Sequence, residues 1–247
     1  MPVFFLPSQC ITPPRVSVTG ELLRHLRNSL RIKVGETILV ADGEDRRYRT
    51  AITAITKQSM TGRVVEIIPR PPRRAPSLIL GQSLVKGEKM DWVIQKTTEL
   101  GVQTIIPIQS WQSVVRLKAD RVEAQTARWQ RIALEAAQQS EQWRVPTVAR
   151  PLSLPSCVTQ SPDKTLRLIL TERRERIGTL SGIQLPTLPE ASILVLAGPE
   201  GGWTEEEIMS AEGAGAILIT LGSKILRAET AAILALGILQ YRLGELG

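Results

Sequence analysis

One histidine, His25, and two cysteines, Cys10 and Cys157, are all the imidazole and thiol in this chain of 247 residues. The cysteines stand far apart without CxxC spacing, which argues against a zinc site, any other metal centre or a disulfide scaffold. Catalysis through a Ser/His or Cys/His pair would rest on that single histidine, and is close to excluded. No apolar run approaches the roughly 18 residues of a membrane span. The opening MPVFFLPSQC has neither the basic region nor the long apolar core of a signal peptide, so a cytoplasmic protein without a membrane partner is expected. Internal repeats, low-complexity tracts and a GxxxxGK[ST] phosphate loop are absent as well. Glu212-Gly213-Ala214-Gly215 resembles a dinucleotide loop, but it follows a helical stretch and precedes a strand, which is the wrong context.

What the chain does have is an uneven charge. Residues 1–74 hold 13 Lys and Arg against 6 Asp and Glu, an excess of +7, whereas the remainder holds 18 of each. A basic front on a neutral rear points to a polyanion, most often nucleic acid, as the partner of the first part.

Between Val3 and Ile68 the pattern is one of short strands: Thr37 to Val40 ending at the turn dipeptide Asp42-Gly43, then Tyr48 to Ile55, then Met60 to Ile68. A small β-barrel is expected there. One helix interrupts it, with Thr19 as the candidate cap, Leu22, Leu23, Leu26 and Leu30 as an apolar stripe, and Arg24, Arg27 and Arg31 beside that stripe as a basic, RNA-binding face. Pro69 to Pro76 carries four prolines in eight residues, which no strand or helix interior tolerates. The domains are therefore cut there, into residues 1–72 and 73–247.

The second domain alternates strands and helices, which argues for a largely parallel sheet. Strands are expected at Leu78 to Leu80, Val102 to Ile108, Leu166 to Leu170, Ile193 to Ala197 and Ala216 to Leu221. Helices are expected from Glu88 to Leu100, from Ala119 to Gln142 with Trp129, Ala133 and Ala136 in its buried stripe, after Thr204, and up to about Leu243. Residues 147 to 164 read as proline-punctuated and irregular. Thr204 and Glu207 have the spacing of a capping box, and Trp203 is placed to staple onto Ile208. The runs Ile193 to Ala197 and Ala216 to Leu221 are taken as neighbouring strands. Their glycine-bearing loops, Gly198 to Gly202 and Leu221 to Thr230, form a crevice at the carboxyl edge of the sheet, where open α/β sheets bind ligands. Thr171-Glu172, at the end of the Leu166 to Leu170 strand, falls at the same edge, so Glu172, Glu200 and the Arg227/Glu229 pair put a charged group at each of three loop ends.

The stretch Ala197-Gly-Pro-Glu-Gly-Gly-Trp-Thr-Glu-Glu-Glu-Ile208, followed by Leu221-Gly-Ser-Lys-Ile-Leu-Arg-Ala-Glu-Thr-Ala231, closely resembles the signature of the bacterial 16S ribosomal RNA uridine-N3 methyltransferases, the RsmE-type members of the SPOUT superfamily. His25 to Arg31 with Gly35 and Asp42-Gly43, Gln95 to Gly101, and Arg128-Trp129 through Ser140 resemble further motifs of that family, so the likeness spans nearly the whole chain. Val3 stands where the family usually has an arginine nearby, Trp111-Gln112 where it tends to have a charged pair, and Gln142-Trp143-Arg144 where it has a shorter turn.

The resemblance implies a PUA-like β-barrel followed by an α/β SPOUT domain with a parallel sheet and a trefoil knot, a homodimer, S-adenosyl-L-methionine as cofactor, and 16S ribosomal RNA in the small subunit as partner. It implies that Leu170, Thr171, Gly198, Glu200, Gly201, Leu221, Gly222, Ile225, Leu226 and Thr230 hold the cofactor. Arg227 would act on the uracil, with Glu229 or Glu200 as base. Two other readings stay open: a SPOUT relative modifying another RNA base, and a non-catalytic RNA-binding or ribosome-assembly module. The apolar helix from Ala231 to Leu243 is compatible either with a dimer or with enclosure in its own domain.

Overall fold

The computed structural model describes residues 3–172 and 177–247. The chain divides into two compact units, Met1–Pro72 with Ala137–Val145, and Arg73–Ala136 with Pro146–Gly247. The return of Ala137–Val145 to the first unit has no signal in the linker composition.

In the first unit six strands form one sheet: β1 (Val3–Phe5), β2 (Ile11–Thr12), β3 (Arg15–Val18), β4 (Thr37–Ala41), β5 (Arg46–Ile55) and β6 (Met60–Pro69). Their order is β1-β4-β5-β6-β3-β2, with β1 and β4 parallel and the other pairs antiparallel. Alternating residues Ile38, Val40, Tyr48, Ile52 and Met60 point into one core with Leu23 and Leu26. The helix between β3 and β4 differs from the expectation. After a short α1 (Gly20–Arg24) it widens into a π-helical turn at His25–Ser29, and Thr19 makes no side-chain cap bond. The widened turn breaks the 3.6-residue stripe, so Leu26 is buried but Leu30 is 43% exposed. Arg24, Arg27 and Arg31 are all exposed. Arg27 donates one N–H to the Thr56 carbonyl, and Arg31 has φ +53°.

The second unit is built on seven strands, all pairing in parallel among the described residues: β7 (Ser77–Ser83), β8 (Thr104–Ile108), β9 (Thr147–Val148), β10 (Thr165–Leu170), β11 (Gly178–Thr179), β12 (Ser192–Ala197) and β13 (Ala216–Thr220). The order is β11-β13-β10-β12-β7-β8-β9. Every residue of β12 is buried, as its unalternating apolar run requires of a strand covered on both faces. Leu194 and Leu196 face a cluster that includes Leu154, Cys157 and Val158 of α4 (Leu154–Thr159) and Ile208 and Ala211 of α5 (Glu205–Gly213). On the other face α6 (Ala228–Arg242) packs on β7 and β12, and α2 (Lys89–Glu99) packs on α6. The fifth substantial helix, α3 (Val122–Gln139), buries Trp129, Ala133, Ala136 and Ala137.

Three expectations are corrected here. β12 and β13 are not neighbours: β10 lies between them, which puts the third of the expected loop ends in the middle of the crevice. Residues 147–164 are not irregular throughout, since they hold β9 and α4, whose Ser153 cap accepts from the Ser156 N–H. Six residues starting with a proline-bearing turn are too short for a periodic pattern to register. The long helix stops at Gln139 rather than Gln142, and Glu141 has φ +53°, outside helical backbone. No helix is long and apolar enough to cross a membrane among the described residues.

Candidate active site

A parallel sheet sends the ends of β10, β12 and β13 to one edge, and the charged loops meet there. The loop after β12 begins with Gly198 under the Trp203 ring, where an added Cβ would lie 3.2 Å from the indole nitrogen. That indole N–H donates to the Leu170 carbonyl at 3.2 Å, tying the end of β10 to the loop. Trp203 also packs on the cluster containing Ile208, as the staple requires. Thr204 and Glu207 form the capping box, with Glu207 Oε2 accepting from the Thr204 N–H at 3.0 Å and Thr204 Oγ1 from the Glu207 N–H at 3.2 Å. Glu207 Oε1 accepts a further bond from the Trp111 N–H, at 2.9 Å. The segment after β8 is thereby drawn against this loop. Gln112 occupies the space beside Gly201, so close that a Cβ on Gly201 would stand 2.7 Å from its Oε1.

The loop after β13 is built the other way. Thr220 Oγ1 and Gly222 exchange hydrogen bonds at 3.1 and 3.3 Å, and Gly222 takes φ +115° with open space where a Cβ would be. From Ser223 to Arg227 no main-chain N–H bonds to another described residue. Ile225 is 59% exposed. Arg227, in extended conformation, is the N-cap residue of α6, and its guanidinium has no partner among the described residues.

The carboxylates of the two loops converge on a residue the sequence reading did not single out. Lys89 Nζ lies 3.4 Å from Glu200 Oε1 and 3.4 Å from Glu229 Oε1. Glu200 Oε1 also receives the Lys86 N–H at 3.4 Å. Burial alone would raise the Glu200 carboxyl, but its own main-chain N–H, that of Lys86 and the Lys89 ammonium outweigh it and hold the group below the ordinary carboxylate range. The Glu229 side chain is 13% exposed, and its Oε2 is buried without a hydrogen-bond partner among the described residues. Lys89 and Glu200 are each about one-third exposed, so their pair contributes at most about 1 kcal/mol to stability. A signal for Lys89 did exist in the sequence. A lysine at the first position of a helix opposes the helix dipole, which favours anions there.

Glu229 and Thr230 line a cavity of about 750 Å³ with Lys89, Trp92, Gln95 and Ile132. Its outer wall is fixed by Arg128, which grips both oxygens of Asp91 and is raised above its ordinary pKa mainly by that bond. Thr171 is tied by its N–H to the Ile219 carbonyl at 3.0 Å, and Glu172 beyond it is exposed. Leu170, Thr171, Gly198, Gly201, Leu221 and Gly222 thus lie at or beside the ends of β10, β12 and β13. Arg24, Arg27 and Arg31 belong to the first unit. Cys157 is buried, which pushes its thiol up to about 12 and leaves it inert. No group of His, Cys, Asp and Glu among the described residues is arranged to hold a metal ion.

Residues 73–240 match the model of the RNA methyltransferase domain family, and residues 18–65 match that of the RNA methyltransferase PUA domain. Fold and matches together define an RNA methyltransferase: a PUA-like domain followed by an α/β domain with a parallel sheet. Ribosomal RNA small subunit methyltransferase E of Bacillus subtilis (strain 168) is 31% identical over 232 residues, covering 93% of this chain and 91% of its own length. The crystal structure of a ribosomal RNA small subunit methyltransferase E from Neisseria gonorrhoeae bound to S-adenosyl methionine superposes with TM-score 0.87 at 32% identity, over 98% of each chain. A putative methyltransferase from Legionella pneumophila, in complex with the bound cofactor SAM, superposes with TM-score 0.86 at 27% identity, over 97% of each chain. The chain belongs to the ribosomal RNA small subunit methyltransferase E family.

Proposed function

We propose that this protein transfers a methyl group from S-adenosylmethionine to N3 of a specific uridine in 16S ribosomal RNA. The observation that carries the reading is the meeting of Glu200 and Glu229 on Lys89, at the edge where Arg227 has no partner among the described residues.

The residues present fit the cofactor. Among the described residues, main-chain donors from Ser223 to Arg227 are unbonded, Gly222 has open space in place of a side chain, and Glu229 Oε2 is a buried acceptor without a partner. Leu170, Thr171, Gly198, Glu200, Gly201, Leu221, Gly222, Ile225, Leu226 and Thr230 would hold it. Leu170 already uses one carbonyl lone pair on Trp203 and keeps the second. When bound, S-adenosylmethionine supplies a methyl carbon made electrophilic by its sulfonium.

Neutral uracil carries a proton on N3, and that nitrogen attacks only as the proton leaves. A carboxylate in the cleft serves as acceptor. Arg227 serves the other half of the problem, by stabilising negative charge that develops on the uracil carbonyl oxygens. Holding both partners in line supplies much of the remaining rate.

The basic residues 1–72, with Arg24, Arg27 and Arg31 exposed, serve as the RNA-binding domain, and residues 73–247 as the methyltransferase domain. We place the protein in the cytoplasm, with the assembled small subunit as its substrate. A homodimer and a trefoil knot accompany this reading. Trp92 on α2 and Leu234 and Tyr241 on α6 are 52%, 41% and 70% exposed, an outward apolar set that suits a second copy. Transfer of labelled methyl to small-subunit particles lacking their own modifications, followed by nucleoside analysis, tests the reaction. The expected product is 3-methyluridine. A different methylated nucleoside favours the SPOUT relative, and RNA binding without cofactor binding favours the non-catalytic module.

A further inference from the structure

We propose that Lys89 is a positioning residue for the methyl transfer: its ammonium holds the Oε1 edges of Glu200 and Glu229, so that Glu229 keeps Oε2 for the proton of the uracil N3–H. The inference rests on the reading above and adds to it which carboxylate takes the proton and what prepares it.

Three features of the cleft lead there. Lys89 Nζ stands at the same 3.4 Å from one oxygen of each glutamate, longer than the 2.7–2.9 Å of a committed charge-assisted bond. A single cation is thus shared between two carboxylates that arrive from different loops. Its position as first residue of α2 runs against the helix dipole, so the local helix does not account for it and the carboxylates do. The two acceptors are also unequal. Glu200 has the Lys86 N–H as well as Lys89 on Oε1, whereas Glu229 has a buried Oε2 with no partner among the described residues, in a cavity shared with Lys89 and Thr230.

Buried polar atoms are almost always paired, so an unpaired carboxylate oxygen beside a cavity is arranged for a donor that comes with a ligand. Glu200, held below the ordinary carboxylate range by its donors, is the poorer proton acceptor and serves with Lys89 as the fixed frame. In the step itself the N3–H bond breaks, its proton passes to Glu229 Oε2, and its electron pair stays on N3. Lys89 neither gives nor takes a proton. The charged groups around Glu229 are Glu88 at the N-cap of α2, Lys89 and Asp91 of α2, Arg128 of α3 paired to Asp91, Glu200, and Arg227 at the start of its own helix. Lys89 is the one cation among them bridging both loop carboxylates.

The test compares Lys89→Met and Lys89→Arg with the unaltered protein in two ways. Carbon-labelled glutamate side chains followed by NMR in the free protein give the Glu229 carboxyl signal, assigned by its loss in Glu229→Gln. Methyl transfer gives kcat and KM. Without the ammonium, the Glu229 carboxylate loses the contact that fixes its Oε1 edge. In Lys89→Met its carboxyl signal therefore moves, and kcat falls about 10²-fold as the acceptor is misplaced. Affinity for S-adenosylmethionine changes less than about threefold. Lys89→Arg restores most of the rate and the position of the signal. An unmoved Glu229 carboxyl signal in the free protein overturns the proposal whether or not the protein methylates RNA. Unchanged kcat, or a loss confined to KM, overturns it in a protein that does methylate. Failure of the unaltered protein to methylate any RNA, with the signal shift present, counts against the reading of the reaction instead.

Discussion

The two glycine-bearing loops at the carboxyl edge of the sheet are constructed in opposite ways. Gly198 to Gly202 is propped by side chains, although Gly201 and Gly202 are exposed: Trp203 lies over Gly198, Gln112 stands beside Gly201, and Lys86 and Lys89 hold Glu200. Leu221 to Arg227 is barer, with main-chain donors from Ser223 to Arg227 unbonded among the described residues, an open Gly222 and an exposed Arg227. The difference teaches how a small crevice divides its work. One loop is finished by the protein's own side chains and acts as a wall. The other leaves its main chain for what binds there.

Substitutions that interchange these properties break the comparison. The largest effect is expected from Arg227→Ala, which removes the guanidinium without touching the fold: kcat should fall about 10²–10³-fold, measured beside an unchanged melting temperature. Gly222→Ala comes next, because φ +115° strains any L side chain although the space is open. Its loop should shift, at about 1–3 kcal/mol, and calorimetry should read weaker binding of S-adenosylmethionine. Gly201→Ala should weaken binding less, since the clash is with the end of the Gln112 side chain, and adding Gln112→Ala should recover the affinity. That recovery separates the wall from the open loop. Trp203→Phe removes the indole N–H bond to Leu170 together with part of the ring packed beside Gly198, which at about 1 kcal/mol or somewhat more lowers the melting temperature by at least roughly 2–4 °C.

The smallest effect is one of pH. Glu200 is held below its ordinary pKa, so its stabilising contribution is complete above the unfolded value, about 4.3, and is lost as pH falls through the folded value. Urea midpoints of Glu200→Gln should therefore fall less steeply on acidification below about pH 4.3 than those of the unaltered protein.

Much of this arrangement was legible in the residues themselves. The unbroken run Ile193 to Ala197 announced a strand buried on both faces, Thr204 and Glu207 announced their capping box, and the loop glycines announced the edge where they lie. Strand order was not legible, because β10 enters between β12 and β13 through long-range pairing that no local pattern records. Leu30 was misread because a π-helical turn shifts the stripe by a fraction of a turn. Lys89 escaped for a different reason. Its role depends on two carboxylates more than 100 residues away, and only the folded sheet brings the three together.

Hydrogen exchange of the main-chain amides, with and without S-adenosylmethionine, tests the division between wall and open loop most directly. Amides of Ser223 to Arg227 should slow strongly on binding, while that of Gly202, already bonded to the Pro199 carbonyl, changes little. Equal protection of both loops, or none in Ser223 to Arg227, would contradict it.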